Sequence, residues 1–149
     1  MGADLYINSL YEPEHTRWEA EFEATVKLRD SLPSGSPERA IAEKRVAHCF
    51  EQMQSRGYFR DPYNNWDLLW QFGLSWWKDV IPMLDKDSRL TATAATKLLG
   101  MLTEREDTFE ERLSAFSEKD EQYFRARYAE LRQFFNQAIS LGESIDCSL

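Results

Sequence analysis

A chain of 149 residues can hide roughly 70% of the surface its unfolded form exposes, and its 42% apolar and 13% aromatic content excludes a disordered chain even with 30% charged residues. A net charge of -8 opposes general attraction to nucleic acid or anionic lipid. No apolar run approaches the roughly 18 residues a membrane span needs, and Met1-Gly2-Ala3-Asp4 has neither the basic nor the apolar region of a signal peptide, so a cytoplasmic protein with no nucleic-acid and no membrane partner is expected.

Residues 3–11 alternate loosely, with Leu5 and Ile7 on one side and Tyr6 and Asn8 on the other, which suits a short extended segment. No second strand-like run is evident. The segment is expected to lie along helices, to pair with another chain, or to find a partner that the pattern does not disclose.

Pro13 fits the first turn of a helix, and Trp18, Phe22, Thr25, Val26 and Leu32 recur at steps of three and four to give it an apolar face. Two prolines, a glycine and two serines between Leu32 and Pro37 end it in a connector short enough for an antiparallel neighbour. Ser36 is placed to cap the second helix, with Pro37 at its first position. Ala42, Val46, Cys49 and Met53 form its stripe, Phe50 widens it, and Gly57 stands as terminator.

The Asp61-Pro62 pair forces the chain out of helix, and Asn65 is placed to cap the helix expected after it. From Trp66 to Leu84 apolar residues occupy nearly every side, which predicts a buried central helix, interrupted near Gly73-Leu74-Ser75 and ended or kinked at Pro82. Thr91 should cap a fourth helix with the face Ala94, Ala95, Leu98, Leu99 and Leu102. Thr108 and Glu111 have capping-box spacing before a short stripe of Phe109, Leu113 and Phe116. Ser117 opens the last helix, whose Phe124, Tyr128, Leu131, Phe135 and Ala138 make the cleanest amphipathic pattern, with Gly142 as its stop. Residues 143–149 read as a loose tail. The expected fold is all-α: one irregular bundle of five or six helices over residues 1–149, with an extended N-terminal segment and a tryptophan-rich core.

Chemical signatures are scarce. Only His15, three residues after Glu12, approaches metal-ligand spacing, and it does not repeat, so no metal and no cofactor are expected. Cys49 sits on an apolar seam, about 100° around the helix from His48, which favours an inert thiol over a nucleophile. The six glycines, at 2, 35, 57, 73, 100 and 142, are too scattered for a phosphate loop, and no Gly-x-Ser-x-Gly elbow is present. No catalytic residue is assigned.

Two features remain. Residues 104–121 hold eight acids against Arg105, Arg112 and Lys119, which reads as a solvated face or as a dock for a basic protein partner. Residues 58–77 hold eight aromatics beside Arg60, Asp61, Asn64, Asn65 and Asp67. That stretch is either core with turn and cap residues or an aromatic pocket with a polar rim, its ligand-binding residues being Tyr58, Arg60, Asp61, Tyr63, Asn64, Trp66 and Trp70. The leading expectation is a small acidic, non-enzymatic interaction protein, immunity- or antitoxin-like in size and charge. The alternative is a small-molecule-binding domain or small enzyme using that pocket, and a homo-oligomer built on the same aromatic patch is the third reading.

Overall fold

The computed structural model describes residues 2–62 and 67–149. The protein is predominantly helical, and the chain divides into two compact units: Asn8–Tyr58, and Met1–Ile7 with Phe59–Leu149. The order of elements is β1 (Ala3–Tyr6), α1 (Asn8–Ser31), α2 (Pro37–Met53), β2 (Tyr58–Asp61), α3 (Leu68–Gln71), β3 (Arg89–Leu90), α4 (Ala92–Glu104), α5 (Glu106–Leu113), α6 (Glu118–Leu141) and β4 (Ile145–Ser148).

Residues 8–58 form a helical hairpin. The Ser36 hydroxyl accepts from the Arg39 amide and Pro37 opens α2, so the connector works as its composition predicts. The first helix begins earlier than its proline suggested: α1 starts at Asn8 and carries Pro13 inside it, giving up one amide hydrogen bond. The extended segment therefore ends at Tyr6 rather than Tyr11. Ala42, Cys49 and Met53 are buried as their spacing predicts, but no residue of α1 is, and Leu28, Ile41 and Phe50 are exposed.

The second unit is built on a four-stranded sheet in the order β2-β1-β4-β3. The partner hidden from the sequence pattern is the C-terminus: β4 pairs antiparallel with β1, Leu5 opposite Cys147, and with β3, Leu90 opposite Ile145. Residues 143–149 are thus no loose tail, because Ile145–Ser148 is an inner strand. Ile145 and Cys147 alternate with polar neighbours and are buried with Ala3, Leu5, Phe59 and Leu90. On the other face the ion pairs Arg60–Asp4 and Arg89–Asp146 tie neighbouring strands together.

Helix α6 supplies the largest share of this unit's core, burying Phe124, Leu131, Phe134, Phe135 and Ala138. Ser117 caps it and Gly142, at φ 64°, ends it. Helix α4, capped by Thr91, packs on α6 through Ala94, Ala95, Leu98 and Leu102. Thr108 caps nothing, since α5 already begins at Glu106 and Arg105 is the single residue between it and α4.

The expected long central helix is absent. In its place are the single turn α3, a reversal at Gly73 (φ +91°), a π-helical turn over Trp76–Val80 and a 3-10 turn over Ile81–Met83. The interruption falls at the glycine, as expected, and Pro82 sits in the last turn. Burial here is carried by Leu68, Leu69, Phe72, Leu74, Trp76 and Val80, whereas Trp70 is 51% and Trp77 80% exposed. Of the described tryptophans only Trp76 belongs to the core. Once the helix breaks, its greasy sides no longer need to face inward together.

Candidate functional site

The broken stretch creates two features, an acid pair of buried Asp61 and half-buried Asp67, and an open basic cleft. Asp61, fully buried at the end of β2, reaches the first turn of α3. One of its oxygens accepts from the Leu68 amide (3.1 Å), the other from the Leu69 amide (3.2 Å) and the Trp76 indole (2.8 Å). Asp67 caps the same turn by accepting from the Trp70 amide at 3.2 Å. Two carboxylates thereby satisfy three backbone donors that a helix start leaves open. Burial pushes Asp67 up to about 6, and its hydrogen bond to Asp61 and the nearness of that charge add to the effect. The Asp67 carboxyl therefore holds its proton into mildly acidic solution.

The cleft has Trp70 in its lining. It encloses about 350 Å³ and is lined by Trp70, Gly73, Leu74, Ser75, Lys78, Asp79, Arg105 and Arg112. Three separate segments meet there. The Gly73 turn brings the chain back across the end of α3, the Ser75 hydroxyl caps the π-helical turn by accepting from the Lys78 amide, and α5 with its leading residue supplies the two arginines. Arg105 is fixed: its guanidinium donates to the Gly73 carbonyl (2.8 Å) and to both oxygens of Asp79 (2.8 and 3.4 Å). A Cβ on residue 73 would lie 3.0 Å from that of Arg105, so the close approach requires glycine. Burial opposes the charge on Asp79, but the hydrogen bonds from Arg105 and from the Ser75 amide outweigh it and hold the carboxyl below its usual range.

Arg112 is held differently. Its guanidinium lies 3.8 Å from the centre of the Trp70 ring and donates to the Trp70 carbonyl. Every other arginine of this unit, namely Arg60, Arg89, Arg105, Arg125, Arg127 and Arg132, is ion-paired; among the described residues Arg112 is not. Burial lowers its pKa, which the adjacent Glu111 only partly offsets. Lys78, exposed at the rim, is likewise without an ion pair among the described residues.

Of the described residues expected to bind a ligand, only Trp70 reaches this cleft. Tyr58 stands in the hairpin unit with its ring 6.0 Å from that of Tyr11. Arg60 is committed to Asp4, and the carboxylate of Asp61 is spent on the chain's own donors. Tyr63, Asn64 and Trp66 lie outside the described residues, as does Asn65; the cap expected of Asn65 is provided by Asp67. The residues that sequence reasoning missed, Lys78, Asp79, Arg105 and Arg112, are up to 42 positions from Trp70. Their only visible signal was two arginines inside an acidic run.

That run is itself partly neutralised. Glu110 and Glu121 hold Arg125, and Glu106 accepts from Tyr128 and faces Arg132. Among the described residues no group of three histidine, cysteine, aspartate or glutamate side chains is gathered as a metal site would require. Likewise, no described helix is long and apolar enough to cross a membrane. No protein-family model, curated protein or solved structure matches this chain.

Proposed function

We propose that the protein is a non-enzymatic binding protein that takes a small anionic ligand in the cleft beside Trp70. The observation that carries this reading is Arg112, a part-buried guanidinium that stacks on a half-exposed indole and, among the described residues, lacks the carboxylate partner every other arginine of its unit has. A charge taken partly out of water without a counter-ion is costly, and an anion delivered by a ligand relieves that cost through charge-assisted hydrogen bonds. Lys78 adds a second cation, and Leu74 with Trp70 adds an apolar wall, the usual mixture in a small-molecule site.

A non-catalytic role is favoured by the polar groups on offer. Among the described lining residues the one hydroxyl, that of Ser75, is occupied as a helix cap, and no histidine or cysteine stands near it to activate a nucleophile. The dock for a basic protein on residues 104–121 is the less favoured reading, because Glu106, Glu110 and Glu121 already serve internal cations.

The test is a tryptophan-fluorescence titration with a panel of small carboxylates, sulfonates and phosphates. At least one should shift the emission, Trp70→Phe should remove most of the shift, and Arg112→Gln should weaken binding about tenfold, the loss of one charged hydrogen bond. Silence across the panel would refute the reading.

A further inference from the structure

Resting on that reading, we infer that the cleft selects a doubly charged anionic group carried on an apolar ring, as in an aryl phosphate monoester or an aromatic dicarboxylate, over singly charged analogues.

The charge inventory points there. The lining contains three cations, Lys78, Arg105 and Arg112, and one acid, Asp79. Asp79 and Arg105 neutralise each other through a two-pronged contact that also engages the Gly73 carbonyl, so this pair forms a rigid floor. Two positive charges are left over, on Lys78 and Arg112, in a protein whose net charge is -8. A monoanion leaves one of them uncompensated; a dianion balances both.

The rest of the lining bears on the ligand's other end. Trp70 is half exposed although it already carries Arg112, and Leu74 is the adjoining apolar side chain. A cleft of about 350 Å³ is at the small end of ligand pockets. It has room for one ring and its charged head rather than for a dinucleotide or a folded peptide.

Isothermal titration at pH 8 and fixed ionic strength tests the inference with phenyl phosphate and phthalate, both doubly charged there, against benzenesulfonate, which is singly charged. The dianions should bind at least about tenfold more tightly, about 1.4 kcal/mol. Lys78→Gln, an exposed position where folding is not at risk, should shrink that preference towards one, and Arg112→Gln should do the same. A preference confined to phenyl phosphate supports the inference and identifies phosphate as the head group; one shared by phthalate extends it to paired carboxylates. Equal affinity for all three, abolished by Arg112→Gln, overturns the selectivity while leaving the binding reading intact. A preference unchanged in both variants overturns it as well, because the charges responsible then lie elsewhere. Binding of none of the three probes overturns the inference, and the binding reading falls with it only where the wider panel of small anions is silent as well.

Discussion

Asp61 and Asp67 show how much can depend on two carboxylates. Asp61 accepts from two amides and an indole in a fully buried position, so Asp61→Ala leaves those donors short of an acceptor that water cannot reach. A loss of about 3–5 kcal/mol is expected, seen as a lowered urea midpoint at unchanged slope. Asp67 acts in the opposite sense. Its pKa is raised in the folded protein to about 6, so the native state binds its proton more tightly than the unfolded chain does. The stabilisation from that proton is complete below about pH 4 and is lost as pH rises through about 6. Asp67→Asn keeps a capping oxygen and removes the repulsion from Asp61. The variant should therefore gain stability relative to wild type as pH rises from 4 to 7.5, and an identical pH dependence in the two proteins would show that the Asp67 carboxyl is not raised in the folded protein. Asp79 should not contribute to this trend, since its own pKa is shifted down.

Among the elements, the turn at Gly73 and the strand β4 decide most. Gly73 combines a positive φ with an approach to Arg105 that a methyl would crowd, so Gly73→Ala should cost about 1–3 kcal/mol and loosen the floor of the cleft. A calorimetric melt measures the first effect. Weaker binding of phenyl phosphate at a temperature where the variant is fully folded measures the second. For β4, removal of residues 143–149 should unfold the sheet unit rather than trim an inert end, because Ile145 and Cys147 fill the core and the strand joins β1 to β3. Circular dichroism of the truncated protein would show this as a broad, shifted transition. Burial also pushes the Cys147 thiol up to about 12, so thiol reagents should label it only as the protein opens. Fast labelling in native buffer at Cys147 would place β4 outside the core.

Across the full chain, the two units differ in how much they bury. Helix α1 runs for 24 residues with none buried, and α2 buries three, whereas α4 and α6 enclose Leu98, Leu102, Phe124, Leu131 and Phe135 almost completely. Local opening follows the density of buried apolar contacts. Hydrogen exchange should therefore find the amides of α1 and α2 opening at lower free energy than those of α4, α6 and β4. Equal protection throughout would mean that the hairpin has stabilising contacts beyond those its burial shows.

Features that depend on neighbours within one or two helical turns were legible from the residues alone. The caps at Ser36, Thr91 and Ser117, the stop at Gly142, the stripe of α6 and the interruption at Gly73 are all readable because a cap or an amphipathic period is set by residues three or four apart. Contacts between distant segments settled the rest. The tail became a strand because β1, at the other end of the chain, offered it an edge, as the register of Leu5 with Cys147 shows. After Asp67 the helix starts at Leu68 because the Asp61 carboxylate, seven and eight positions away, captured the amides of Leu68 and Leu69, and it ends after one turn at the Gly73 reversal. The cleft is the furthest from sequence, since Trp70, Lys78, Arg105 and Arg112 share no local pattern. An unpaired arginine can be recognised only once every carboxylate around it has been placed, and that is a property of the folded chain.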